Sequence, residues 1–276
     1  MSTPWLRRLS HFAGWLADRK VPTPLRGFFY GSYCRLTGAD AGEAQLPVKA
    51  YPSMGAFFVR RLKPGARTWE SREDLLPAPC DGCVQDLHPI KDGTILQAKG
   101  SPYSVAELLG DEEAARELEG GWAWTIYLSP RDYHRVHTPE AGVLESVRWI
   151  DGTRYSVAPK VLAKRPRVFA QNERAVLTIA SSRARYQLVM VGALNVGRIR
   201  VIGVESGASP GARGGTGEPA GTLPRFERGD ELARFEMGST VVLLFPKGSA
   251  VPLPDLAPEH GVRLGSAIGL FGGAGA

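Results

Sequence analysis

Of the five histidines in the 276-residue chain, two stand three residues apart, His134 and His137, within Ser129-Pro130-Arg131-Asp132-Tyr133-His134-Arg135-Val136-His137-Thr138-Pro139. Imidazole titrates nearest neutrality, so such a pair can supply two acid/base groups or two metal ligands. A structural role is the ordinary alternative for either. Upstream, Cys80-Asp81-Gly82-Cys83 adds a C-x-x-C pair, and with the histidines it offers four ligands of the kind zinc prefers. The H-x-x-H spacing is shorter than that of zinc fingers, however, and the cysteines abut a strand-like run rather than a knuckle loop. No metal is therefore expected, and without a surrounding βαβ pattern the cysteines do not read as a redox pair. A third element is Gly238-Ser239-Thr240, a Gly-Ser peptide bond between two strand-like runs. It can be plain turn chemistry. It can also be a serine that attacks the carbonyl before it, if a base takes the hydroxyl proton and cleavage relieves backbone strain.

The elements that would position these residues are mostly strands. Short apolar runs alternate with Gly/Pro turns at Cys83 to Leu87, Thr94 to Ala98, Trp124 to Leu128, Val143 to Ile150, Ala175 to Ile179, Tyr186 to Val191, Arg198 to Val204 and Thr240 to Phe245. Helix is sparser. Ser104-Val105-Ala106-Glu107 is a capping box that opens a helix into Leu108 and Leu109. The fold class expected is α+β, a β-rich catalytic domain with short helices, preceded by N-terminal amphipathic helices. Glu205 to Pro224 is rich in Gly, Ser and Pro, can bury almost nothing, and reads as a mobile loop.

The N-terminal segment differs in character. Trp5, Leu9, Phe12 and Leu16 fall on one helical face, with Arg7, Arg8, His11, Arg19 and Lys20 mainly off it. Such a basic, aromatic amphipathic helix suits a lipid interface with anionic headgroups, although a helix docked on the core has the same stripe. After Val21-Pro22-Thr23-Pro24, a second aromatic segment runs from Leu25 to Leu36, with Phe28, Phe29, Tyr30 and Tyr33. The polar stretch Thr37 to Glu43 places a boundary near residue 45, dividing the chain into 1–44 and 45–276.

Composition narrows the class. Hydrophobic residues make up 43% and charged residues 22%, which excludes wholesale disorder, collagen and coiled coil. Three cysteines make no disulfide framework, and no secretory signal pattern opens the chain, so a reducing compartment is expected. No apolar run approaches the roughly 18 residues of a membrane span. The net charge of +6 fits an anionic partner. Nucleic acid is not expected, because no stacking platform or recognition motif accompanies that charge.

Taken in order, the segments resemble the phosphatidylserine decarboxylase proenzymes over nearly the whole chain. The resemblance rests on Phe57-Phe58-Val59-Arg60-Arg61-Leu62, Pro79-Cys80-Asp81-Gly82, Ala98-Lys99-Gly100 with Tyr103-Ser104, the segment Tyr127 to His137, and Asn172-Glu173-Arg174. It continues through Val191-Gly192-Ala193, Asn195-Val196-Gly197, Gly229-Asp230-Glu231-Leu232 and Gly238-Ser239-Thr240. Three positions depart from the family's pattern. Met237 stands where leucine is usual, Cys80 where alanine is common, and the loop from Glu205 to Pro224 has its own sequence.

The resemblance implies a chain that cleaves itself between Gly238 and Ser239. Ser239 Oγ attacks the Gly238 carbonyl, with His137 as base and Asp81 orienting it, and the resulting ester eliminates and hydrolyses to leave a covalent pyruvoyl group derived from Ser239. Residues 1 to 238 and 239 to 276 would then remain associated as two chains. It further implies decarboxylation of phosphatidylserine to phosphatidylethanolamine and carbon dioxide through a Schiff base, the pyruvoyl group replacing pyridoxal phosphate as electron sink. His134 is assigned as the acid that reprotonates Cα. A lipid substrate gives the N-terminal helices a purpose, so the expected partners are phosphatidylserine and an anionic membrane surface. The expected location is peripheral, on the cytoplasmic face of the inner membrane, and a homo-oligomer is compatible with all of this. Rival readings are a pyruvoyl decarboxylase for another serine-headed lipid or a soluble amino acid, a zinc-stabilised binding module, and a serine hydrolase using Ser239, His137 and Asp81 on an external ester.

Overall fold

The computed structural model describes residues 15–97, 100–193, 199–204, 224–236 and 239–272. It is an α+β fold dominated by antiparallel sheet. With strands numbered along the chain, the largest sheet has the order β11 (Arg225–Phe226), β7 (Gly142–Ile150), β8 (Arg174–Ser181), β9 (Arg185–Val191), β13 (Ser239–Phe245), β5 (Trp122–Leu128), β2 (Gly82–Pro89) and β15 (Gly261–Val262). A three-stranded sheet has the order β10 (Ile199–Val201), β12 (Glu231–Phe235), β6 (Arg135–His137). Another has β1 (Leu75–Pro77), β16 (Ala267–Phe271), β14 (Ala250–Pro252), and β3 (Thr94–Gln97) pairs with β4 (Ser101–Ser104).

Sequence pattern explains which strand sits where. β13 reads Ser-Thr-Val-Val-Leu-Leu-Phe without polar alternation and all seven residues are buried, as expected of a strand covered on both faces. β9 and β5 flank it, so Ser239 begins a strand that is buried along its whole length. Phe245 at its far end stacks on Tyr186 at 4.7 Å and meets Trp124 and Phe271 edge-on. β7, nearer the sheet edge, buries Leu144, Val147 and Trp149. A bulge between Leu144 and Ser146 shifts the alternation by one residue so that all three reach the same core.

Seven of the expected strands are present. The eighth, Arg198 to Val204, is shorter than expected, because Gly203 adopts φ +75° and the chain turns after Val201. Half of the expected capping box forms: Ser104 Oγ accepts from the Glu107 amide and starts the helix Val105–Leu109, while the Glu107 carboxylate pairs with Arg167. Ala98 and Lys99, Asn195-Val196-Gly197, Met237 and Gly238, and all but Pro224 of the expected loop lie outside the described residues.

At the N-terminus only residues 15–20 of the first expected helix are described; 15–18 are helical, and Arg19 and Lys20 lie past the helix end. The second expected helix is Thr23–Thr37, closed by Gly38 at φ +79°. Tyr30, Ala44, Tyr51 and Phe57 form a second, small core, and Tyr30 Oη donates to the Tyr51 carbonyl. The opposite side stays apolar in solvent: Trp15, Leu16, Leu25, Phe28, Phe29 and Leu36 are all exposed, Phe28 by 76% and Leu36 by 87%. No helix among the described residues is long and apolar enough to cross a membrane.

Candidate active site

Strand register collects the candidate residues at one end of the large sheet. Ser239 is opposite Leu128, the last residue of β5. On the other side of β5, Cys83 is opposite Tyr127, which brings Gly82 and Asp81 to the same end. Strand spacing of about 4.8 Å puts the Ser239 and Gly82 backbones about 10 Å apart across β5. Gly82 is needed there, since a Cβ on it would lie 2.5 Å from the Tyr127 carbonyl oxygen. The chain leaves β5 through Ser129 to His134 and enters β6, where the His137 amide donates to the Pro79 carbonyl at 2.8 Å.

Ser239 is wholly buried and its Oγ has no hydrogen-bond partner among the described residues, as is also true of Thr240 Oγ1. An unpartnered buried hydroxyl is costly, and such a group calls for a reason.

His134 is fully buried, its ring 3.9 Å from that of Phe58. Nδ1 lies 2.8 Å from the Asp132 carbonyl oxygen, and a carbonyl can only accept, so Nδ1 carries the proton and donates. Nε2 is then a bare lone pair, buried and without a partner. Burial drives the pKa down to about 3, helped by the charge of Arg60, so the ring is neutral at pH 7.

His137 is half-buried and held at both nitrogens. Nδ1 donates to the Gly229 carbonyl at 2.7 Å, and Nε2 is 3.2 Å from Tyr133 Oη. Gly229 offers that carbonyl from φ +94°, with the Trp69 ring packed against it. Burial holds the His137 pKa below the usual imidazole value. It also pushes the Tyr133 phenol up to about 12, which keeps it a donor to Nε2.

Asp81 is gripped from another direction. Arg67 Nε donates to Oδ1 at 2.8 Å and Nη2 to Oδ2 at 2.5 Å, while the Leu264 amide donates to Oδ1 at 2.8 Å. The other face of Arg67 holds Glu43 at 2.8 Å. Ser239, His137 and Asp81 are thus brought to one end of the sheet without being hydrogen-bonded to one another.

The cysteines are not assembled with the histidines. Cys80 is fully buried, its thiol pushed well up by burial, and Cys83 Sγ lies near the Val84 carbonyl. Among the described residues no three histidine, cysteine, aspartate or glutamate side chains gather as a metal site.

Sequence reasoning about roles passed over Arg60, Arg67, Tyr133 and Phe58. Arg60 and Phe58 sit in the Phe57 to Leu62 segment, which forms a wall of the site. Phe58 packs on His134, the Val59 carbonyl accepts from Arg135, and Arg60 Nη2 donates to the Arg131 carbonyl. Arg67 is isolated in sequence, and only the fold reveals its grip on Asp81. The Asn172-Glu173-Arg174 motif is scaffolding. Asn172 ties Tyr155 to Gly192, Glu173 pairs with Arg154, and buried Arg174 donates to the carbonyls of Glu107, Leu108 and Asn172.

A buried hydroxyl with no partner among the described residues, at the sheet end to which two imidazoles with pKa values lowered by burial are also brought, points to an enzyme. Comparison with known proteins says which kind. Residues 54–270 match the family described as phosphatidylserine decarboxylase. The chain is 42% identical over 265 residues to the phosphatidylserine decarboxylase proenzyme of Xanthomonas campestris pv. campestris (strain B100), covering 95% of this chain and 93% of that one. It is 38% identical over 274 residues to that of Marinobacter nauticus, covering 97% and 94%, and 38% identical over 263 residues to that of Myxococcus xanthus, covering 95% and 94%. The chain belongs to the phosphatidylserine decarboxylase family, and it is a decarboxylase.

Proposed function

We propose that this chain is a proenzyme that cleaves itself at Gly238-Ser239 and then decarboxylates phosphatidylserine to phosphatidylethanolamine at the end of the sheet where Ser239 lies. The observation that carries the reading is Ser239 itself, a fully buried serine whose Oγ has no partner among the described residues, at the head of the central strand of a chain in this family. A turn serine would ordinarily hydrogen-bond its neighbours or solvent. Such a hydroxyl fits a residue destined for conversion to a pyruvoyl group.

In this reading Ser239 Oγ forms a bond to the Gly238 carbonyl carbon as the bond to the Ser239 nitrogen breaks. His137 takes the hydroxyl proton. Its neutral form and its Nε2 lone pair suit that role, and proton transfer requires Nε2 to exchange its contact with Tyr133 Oη for one with the serine. Asp81 is the carboxylate that this reading assigns to orient the base, and the acidic charges that act on His137 in the fold are those of Glu231 and Asp230. The pyruvoyl group supplies the carbonyl that engages the substrate amine and accepts the electrons released with carbon dioxide. His134 Nε2, bare in the resting protein, first takes a proton from the substrate ammonium and then delivers it to the substrate Cα. The two chains stay together because β13 is buried along its length between β9 and β5.

The N-terminal part, residues 1–44, serves as the contact with an anionic bilayer on the cytoplasmic face of the inner membrane, and 45–276 as the catalytic part. Exposed Trp15, Leu16, Phe28 and Leu36 support this over a helix docked on the core. Tyr33 Oη donates to the Pro130 carbonyl at 2.6 Å, fastening this surface to the loop that carries His134.

The test is the denatured mass spectrum of the purified chain. Two species, one ending at Gly238 and one beginning with residue 239 as a pyruvoyl group, are expected. A single intact mass from folded protein would overturn the reading and bring the hydrolase alternative forward.

A further inference from the structure

Beside the site lies a polar cleft of about 390 Å³ whose wall includes Arg60, Arg67, Arg131, Arg263, Asp81 and Asp132. Every acidic group named there has a partner. Asp81 is paired with Arg67, and Asp132 accepts from the Ser129 amide and hydroxyl with Arg131 3.7 Å away. Arg263 reaches Glu43 at 3.3 Å. Arg60 is different. It is only 3% exposed, and among the described residues it makes no ion pair and its Nε and Nη1 have no hydrogen-bond partner. Its one bond is from Nη2 to the Arg131 carbonyl at 3.1 Å, with the guanidinium 5.1 Å from the Phe57 ring.

A buried guanidinium with two unmet donors is expensive unless an oxyanion completes it, and the planar fork is matched to phosphate and carboxylate. We propose that Arg60 is the headgroup anchor of the cleft and binds the phosphodiester of the lipid substrate. This rests on the decarboxylase reading above, because it takes the substrate to be a phospholipid.

Phosphatidylserine has two anionic groups, and chemistry separates them. The carboxylate loses its charge as carbon dioxide departs, so an arginine on it would stabilise the reactant more than the transition state. The phosphodiester keeps its charge throughout, and binding it positions the substrate without opposing the reaction. The place also fits. The charge of Arg60 acts on His134, so an anion on Arg60 lies close to that imidazole and offsets the effect that disfavours its protonation. Gly38 and Asp40, which directly follow the apolar helix Thr23–Thr37, form part of the same cleft, so it adjoins the surface through which a lipid would arrive.

The experiment compares wild type, Arg60→Met and Arg60→Lys. Mass spectrometry first records whether each is cleaved, so an uncut wild type counts against the decarboxylase reading and not against the anchor. Calorimetry then measures binding of soluble glycerophosphoethanolamine, ethanolamine and inorganic phosphate. We expect Arg60→Met to weaken glycerophosphoethanolamine at least tenfold and to leave ethanolamine within twofold, with melting temperature maintained. Arg60→Lys, which keeps the charge and loses the fork, should fall between and serves if the methionine variant does not fold. Wild-type affinity for glycerophosphoethanolamine in folded variants would overturn the proposal. So would wild type binding inorganic phosphate as tightly as glycerophosphoethanolamine, which would mark a free-anion site.

Discussion

The amide of Phe235 donates to the carbonyl of His134 at 3.0 Å, fastening the buried imidazole to the strand that leads into Gly238-Ser239. His137 lies opposite Glu231 at the other end of the same strand, and its side chain is held by Gly229 and Tyr133. The two histidines are therefore separable by experiment. Ser239→Ala and His137→Ala are expected to leave one uncut chain by mass spectrometry. His134→Ala is expected to be cut and to decarboxylate some 10²- to 10⁴-fold more slowly, the usual contribution of a positioned acid/base. Normal maturation of His137→Ala would remove it as the base.

His134 also sets a pH dependence of stability. Its folded pKa, about 3, lies below the unfolded value of 6.5, so between these values the unfolded chain binds the extra proton. Stability is complete above about pH 6.5 and falls as the pH drops toward 3, by up to about 1.4 kcal/mol per pH unit. His137, lowered by the same cause, adds in the same direction. Urea midpoints at pH 7.0, 6.0 and 5.0 should therefore fall less steeply for His134→Gln than for wild type. Equal slopes would mean that His134 is protonated in the fold.

Arg67 bridges Asp81 and Glu43 with both its side chain and that of Asp81 only 8% exposed. Arg67→Met strands the buried Asp81 carboxylate, while Glu43 keeps Arg263, and should cost roughly 3–5 kcal/mol, the usual penalty for breaking a buried pair from one side. It should also slow self-cleavage, because Asp81 loses the group that fixes its orientation. Adding Asp81→Asn should recover part of the stability and none of the cleavage. If Arg67→Met matures at the wild-type rate, the orientation of Asp81 does not depend on this pair.

Asp86 in β2 is a second buried carboxyl, with Oδ2 unpartnered and desolvation raising its pKa to about 6. Above that pH its ionised form opposes folding, and the penalty is relieved as the pH falls from 6 toward 3.8, opposite in sign to His134. Asp86→Asn is expected to stabilise the protein by roughly 1–2 kcal/mol at pH 7 and by much less at pH 4. Thermal denaturation at the two pH values checks this, and no gain at pH 7 would mean that the carboxylate is solvated in solution.

Much of this architecture was legible because it rests on local signals. The unbroken apolar run at Val241 to Phe245 announces a doubly covered strand, and Ser104 with Glu107 announces a helix start. Arg198 to Val204 misled because its apolar content continues past Val201, while Gly203 turns the backbone. The candidate site was legible only in part. Histidines three apart are visible in a sequence, but which ring nitrogen is bare depends on carbonyls at Asp132 and Gly229, the second of them contributed from 92 residues away. Arg67 and Arg60 look like other surface arginines among the chain's 34 basic residues. Only long-range packing shows one clamping Asp81 and the other buried without an anion.

The exposed face of the helix Thr23–Thr37 gives the last expectation. Phe28 and Leu36 are 76% and 87% exposed, far more than packing requires, and Arg35 adjoins Leu36 in the sequence. Burying such a side chain in the acyl boundary is worth about 1.5–3 kcal/mol, and each nearby basic residue adds about 1 kcal/mol on an anionic surface. Phe28→Asp with Leu36→Asp should therefore lower co-sedimentation with vesicles containing phosphatidylserine by at least tenfold. Turnover of a short-chain, monomeric phosphatidylserine should be unchanged, because neither side chain belongs to the cleft. Retained vesicle binding by the double variant would assign the contact elsewhere. A matching loss on the monomeric substrate would show instead that this helix holds the Pro130 loop, and with it His134, through Tyr33.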